Sequence, residues 1–147
     1  MTSSDDNKSI VRKGIEGIWN KKDLSVIDQV THASYVCHMP GDKKISGIDG
    51  FKTAFSRFQK AFPDAKMKIE NQVAEGDEVI TSMIVEGTQT GRFESDEGVI
   101  EATGKKIHAR QVSRMKIRDG KVVEEWVTWD ESVAVSQLDP GVKRLTA

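Results

Sequence analysis

Residues 118–130 read R-D-G-K-V-V-E-E-W-V-T-W-D, a glycine-bearing turn followed by a strand. Strand side chains alternate between two faces, so Glu125 shares a side with Val123, Val127 and Trp129, and a carboxylate is aimed at the apolar face. An unanswered buried charge costs roughly several kcal/mol, so polar groups are expected to meet it inside the protein. The D-G-K turn at 119–121 makes the preceding segment, 105–118, the antiparallel neighbour. On that segment Gln111 and Ser113 share a face with Ala109, Met115 and Ile117, while His108, Arg110, Arg114 and Lys116 take the other. His38 breaks an apolar stretch on another strand in the same way, so three strands point to one polar spot inside a small cavity.

Working outward, a second tight turn, E-G-D at 75–77, joins strands read at 65–74 and 78–90. The longer link, 92–104, contains E-S-D-E-G and A-T-G and is expected to be mobile. Upstream of Pro63 the period changes from two to that of a helix. Phe51, Ala54, Phe55, Phe58, Ala61 and Phe62 form an amphipathic stripe, with S-G-I-D at 46–49 as a capping-box pattern and Pro63 as the stop. Ile10, Val11, Ile15, Ile18 and Trp19 mark a first helix over 8–19, with cap candidates among Ser3, Ser4, Asp5 and Asp6. Gly14 and Gly17 weaken it unless another element packs closely there. A short second helix follows Asp23, then a strand over Ser34–Met39 ended by Pro40 and Gly41. The tail from Glu131 reads as a short helix through Gln137, closed by Asp139, Pro140 and Gly141.

Helices first and strands afterwards predict one α+β domain, with its core at about 8–138 and N-terminal helices packed on one face of a mostly antiparallel sheet. The length, 147 residues, suits a single core, and no internal repeat divides it. Lys and Arg total 22 against 23 Asp and Glu, which gives no field for nucleic acid or an anionic membrane surface. The single cysteine, Cys37, allows no intrachain disulfide and reads as a small buried hydrophobe. No apolar run approaches about 18 residues and no signal-peptide pattern opens the chain, so a soluble cytoplasmic protein is expected. His32, His38 and His108 are scattered and neither H-E-x-x-H, paired cysteines, a glycine-rich phosphate loop nor G-x-S-x-G occurs. No metal and no cofactor are implied.

Six strings, Y-V-C-H-M-P at 35–40, G-I-D-G-F at 47–51, A-F-P-D at 61–64, A-E-G-D-E-V at 74–79, G-T-Q-T-G-R-F at 87–93 and the 118–130 stretch, carry a resemblance in their order and spacing. The chain resembles the SnoaL-like polyketide cyclases of the nuclear transport factor two-like superfamily over about residues 8–138. The resemblance implies a cone-shaped α+β barrel, a strongly curved sheet around a pocket, usually in a homodimer. Its members include cyclases, isomerases, dehydratases, epoxide hydrolases and proteins without catalysis. In the cyclases the final strand usually carries histidine where Glu125 stands and the catalytic aspartate where Val127 stands, the latter also the aspartate position of the related limonene epoxide hydrolases. Valine cannot exchange a proton. Alignment with ketosteroid isomerases puts His38 at their general base and Ser113 near their oxyanion-stabilising acid, and Gln89 stands where relatives often carry histidine.

The candidate site follows from both readings. His38, able to exchange a proton near neutral pH, is either the base or a hydrogen-bonded strand-end histidine. Glu125 is either an acid or base with a raised pKa or half of a buried ion pair with an arginine. Gln111 and Ser113 either polarise a ligand oxygen or satisfy each other and Glu125. Tyr35, Phe55, Phe58, Met83 and Trp129, with Trp19, form an apolar wall or pack the core, and Gln89 and Val127 complete the expected binding set. Trp126, grouped with Val112 and Val122 on the outer face, is a candidate for subunit contact. The expected activity is cofactor-independent proton transfer, cyclisation or isomerisation, on a small apolar carbonyl compound. The alternative is a ligand-binding or stress-response protein that has lost catalysis.

Overall fold

The computed structural model describes residues 3–95 and 98–138. Helix α1 (Ser4–Gly14) starts earlier than the apolar spacing indicated, because Ser3 and Asp6 form a reciprocal capping box. Its last turn widens into a π-helical stretch, Ile15–Asn20, before the short α2 (Ser25–Val30). Asp23 opens α2 by accepting from the Ser25 amide and hydroxyl. The two helical glycines have a packing reason: a Cβ on Gly17 would lie 2.9 Å from the Val26 side chain, and one on Gly14 would lie 3.3 Å from that of Val30.

Strand β1 (Thr31–Met39) pairs with β2 (Lys43–Ser46), an edge strand the sequence did not reveal. The S-G-I-D capping box does not form. Ser46 is the last residue of β2 and makes no side-chain cap bond, and Gly47 at φ 75° turns the chain into α3 (Gly47–Ala61). That helix ends where Pro63 required.

Then come β3 (Lys66–Glu75), β4 (Glu78–Thr88), β5 (Phe93–Ser95), β6 (Gly98–Ile100), β7 (Lys106–Arg118), β8 (Lys121–Trp129) and α4 (Glu131–Leu138). Asp139, Pro140 and Gly141 lie outside the described residues. The six-stranded sheet runs β2-β1-β8-β7-β4-β3, antiparallel throughout except that β1 lies parallel to β8. The D-G turn between β7 and β8 has φ 54° at Asp119 and 73° at Gly120, the double positive angle of a two-residue hairpin.

Within the link 92–104, β5 and β6 pair antiparallel. Gln89, fully buried, ties it down by donating to the Ile100 carbonyl (2.9 Å) and accepting from the Thr103 hydroxyl (2.8 Å). Phe93 adds an edge-on contact with Phe62.

Register shifts interrupt the sheet in three places and increase its local twist. The one in β8 changes the inward set. Val122 pairs with Ile117 and Glu124 with Lys116, so Val123 is the extra residue. Val122 therefore lines the interior, contrary to its expected outward position beside Trp126. Between the partners Thr31–Val122 and Val36–Glu124, residues 32–35 of β1 stand against that same Val123. The helices α1, α2 and α3 cover the concave face of the sheet, and α4 is pinned to β7 by Gln137, which bonds the His108 backbone on both sides.

Candidate functional site

Between the helices and the concave face lies a cavity of about 200 Å³. Its walls are almost wholly apolar, and its polar groups converge from three neighbouring strands of the sheet. Glu125 on β8 is buried and accepts a 2.6 Å hydrogen bond from the Tyr35 hydroxyl on β1. Gln111 donates to the Ser113 hydroxyl at 3.1 Å, and Ser113 in turn bonds the Glu125 carboxyl. A chain of four side chains, Gln111, Ser113, Glu125 and Tyr35, thus runs across three strands. The bulges shape its geometry: Tyr35 lies within the irregular stretch of β1 between Thr31 and Val36, and β8 changes register between Val122 and Glu124, just before Glu125.

Burial pushes the Glu125 carboxyl above the usual glutamate value, and the bonds from Tyr35 and Ser113 offset part of that rise. Burial, then the neighbouring Glu125 charge, holds the Tyr35 phenol well above its ordinary value. The same two causes push the Cys37 thiol up to about 12. Near neutral pH neither phenol nor thiol ionises, so Glu125 is the cavity group best suited to exchange a proton.

Of the residues expected at the site, Tyr35, Phe58, Met83, Gln111, Ser113, Glu125, Val127 and Trp129 line this one cavity, joined by Trp19. Three do not. His38 points away, because Tyr35, Cys37 and Met39 take the inward face of β1 and alternation sends His38 to the outer one. There its Nε2 lies 2.6 Å from Glu124, and its ring stacks on Trp126 at 5.2 Å. Phe55 faces the second, smaller core cluster with Ile18, Val26, Ile27 and Val30. Gln89 serves the β5–β6 hairpin. The arginine partner considered for Glu125 is replaced by the Tyr35 phenol. The sequence reading missed Cys37, Met39 and Phe51 as cavity residues. The period of Y-V-C-H-M carried the signal for the first two.

Val127 sits opposite Ser113 in the ladder, directly beside the polar chain. Among the described residues, no group of three or more His, Cys, Asp and Glu side chains is arranged to hold a metal ion, and no helix is long and apolar enough to cross a membrane.

The sequence profile of the SnoaL-like polyketide cyclases matches residues 9–138. The chain belongs to the SnoaL-like polyketide cyclase family. No curated protein sequence matches it. In structure this SnoaL-like chain is similar to a protein from Jannaschia sp. CCS1 described as a SnoaL-like polyketide cyclase, with a TM-score of 0.85 and 18% identity over 97% of this chain and 99% of that one. It is also similar to IdmH from Streptomyces antibioticus, described as a polyketide cyclase (TM-score 0.78, 23% identity, 90% and 97% covered). A third likeness is to an LEH-like epoxide hydrolase from M. tuberculosis (TM-score 0.71, 16% identity, 94% and 92% covered). These likenesses establish the SnoaL-like fold, and the reaction has to be argued from the cavity itself.

Proposed function

We propose that the protein catalyses proton transfer on a small, largely apolar carbonyl compound in the cytoplasm, without metal or cofactor, as in an isomerisation or cyclisation. The observation that carries this is a carboxylic acid with a raised pKa, Glu125, opening on an apolar cavity beside an amide, Gln111, that can bind a carbonyl oxygen. Glu125 takes the proton α to the carbonyl, and a free N–H of Gln111 stabilises the enolate oxygen. Returning the proton to a different carbon completes an isomerisation. Attack of the enolate on a second carbonyl, with Glu125 giving its proton to the new alkoxide, completes a ring closure. Tyr35 and Ser113 are positioning residues that hold the carboxyl. Val127 supplies no proton in this scheme, in contrast to the aspartate of its relatives. The test needs no knowledge of the natural substrate: small cyclic ketones in deuterated buffer are followed by NMR for exchange of their α-protons. Exchange faster than in buffer, lost in Glu125→Gln and kept in His38→Ala, is the expected result. Equal exchange in the wild type and Glu125→Gln would end the proposal.

The second reading, a binding protein without turnover, is favoured by one observation: the Glu125 carboxyl already has hydrogen-bonding partners in Tyr35 and Ser113 before any ligand enters. Ketone binding without exchange would select it. For the outer face, a second copy of the chain is the proposed partner. One ladder row crosses all six strands there as Lys44, His38, Trp126, Arg114, Ile80 and Val73. Ile80 and Val73 remain 44% and 56% exposed. Sedimentation showing only monomer at micromolar concentration would remove that proposal.

A further inference from the structure

Four of the five methionines and the one cysteine line the same cavity: Cys37 and Met39 on β1, Met67 on β3, Met83 on β4 and Met115 on β7. The remaining methionine, Met1, lies outside the described residues. The sulfur side chains track the polar chain. Cys37 and Met115 are the ladder partners of Glu125 on its two flanking strands, and Met83 is the partner of Gln111. The Cys37 and Met39 sulfurs are themselves 3.7 Å apart. Elsewhere on these strands the buried positions are largely β-branched, with Val79, Ile107 and Ile117 outside the cavity and Val85 and Val122 as stiff parts of its wall.

The contrast has a physical consequence. Valine and isoleucine are stiff at χ1 and suit a pleated sheet, so walls made of them hold one shape. Methionine has three rotatable bonds and a polarisable thioether, which lets it repack against occupants of different outline. Every polar group expected to touch the ligand thus has a neighbour able to move. Met83 is fully buried, while Met39 and Met115 are half-buried and have more room to change rotamer.

We propose that the methionines make the cavity an adaptable one, so that the site accepts apolar carbonyl compounds over a range of ring sizes rather than a single shape. The inference rests on the reading of the cavity as a carbonyl-compound site, and the two can fail separately. Met39, Met67, Met83 and Met115 are then determinants of substrate breadth, with Glu125 and Gln111 left to the chemistry.

Protein carrying ¹³C at its methionine methyl groups tests this by titration with cyclopentanone, cyclohexanone, cyclooctanone and cyclododecanone, and with the matching cycloalkanes. The four cavity methyl resonances should shift with every ketone, and the dissociation constants should stay within about tenfold of one another. The cycloalkanes should move the same resonances more weakly, reporting on the walls without Gln111. Silent methyl resonances, or one ring size preferred by more than about a hundredfold, would overturn the proposal. Replacing Met39 and Met115 together by isoleucine should cost the largest ring about tenfold in affinity relative to the smallest, while leucine at both positions should cost less. Equal breadth in the isoleucine variant would also overturn it. If that variant fails to fold, the labelled wild-type titration decides. Broad binding without α-proton exchange leaves the adaptable wall standing and removes catalysis. Exchange confined to one ketone does the reverse.

Discussion

The two faces of the sheet carry chemically similar groups in different surroundings. On the concave face a carboxylate, Glu125, meets a phenol in an apolar cavity. On the convex face a carboxylate, Glu124, meets His38, whose ring stacks on Trp126. Trp126 also carries the Arg114 guanidinium 3.8 Å from its ring centre, and Arg114 pairs with Glu78. The outer groups keep contact with water, with His38 and Glu124 side chains 28% and 36% exposed. Their pairing is cushioned by solvent and contributes little net stability. The inner carboxylate has lost its water, so its protonation is coupled to folding and to whatever fills the cavity. Adjacent residues of one strand therefore hold carboxylates with different capacities, and desolvation rather than residue type separates them.

The largest expected effect lies inside. Glu125→Gln should lower ketone α-proton exchange by about 10²- to 10⁴-fold, the usual contribution of a general acid or base. It should also flatten the pH dependence of stability. The folded wild type binds the Glu125 proton more tightly than the unfolded chain. Its stabilising contribution is therefore full below the ordinary glutamate value and lost as pH rises through the upward-shifted one. Thermal melts from acid to neutral pH should show that decline in the wild type and not in the variant.

Val127→Asp should follow, with a loss of about 1–3 kcal/mol at neutral pH from a second, poorly paired carboxyl beside the first. Like charges raise the proton affinity of the pair, so part of the loss should return as pH falls towards about 5. Thermal shifts across that range check it, and an unchanged profile would mean that position 127 faces water.

Tyr35→Phe removes the 2.6 Å bond to Glu125 and should cost about 1–2 kcal/mol in chemical denaturation at neutral pH, less in acid, where the carboxyl is neutral. His38→Ala should have the smallest effect, below about 1 kcal/mol, with ketone exchange unchanged. A large loss of exchange in that variant would erase the functional difference between the two faces.

The inward placement of the polar groups was legible because Glu125, Gln111 and Ser113 break otherwise apolar alternations on two strands joined by a D-G hairpin. Local chemistry fixes such a hairpin's register, so inward residues on one strand predict inward residues on the other. The placement of His38 failed for a related reason. It stands three residues from Tyr35, and an unbroken strand cannot send both inward. Three inward side chains, Tyr35, Cys37 and Met39, outweigh one imidazole. Phe55 failed differently. A helical stripe tells which residues are buried, and only the crossing of α2 divides them between the cavity wall and the second cluster.

By itself the sequence determined the α+β order of elements, the two glycine hairpins, the stop at Pro63 and the inward carboxylate. These depend on neighbours within a few residues, where backbone sterics and side-chain alternation act directly. Tertiary structure decided the parallel docking of β1 on β8, the bulge that exchanges Val123 for Val122, and the meeting of Tyr35 with Glu125, 90 positions later in the chain. Pairing between distant strands is set by how whole faces pack, and one extra residue in a bulge turns the preceding side chains over, which no local pattern encodes.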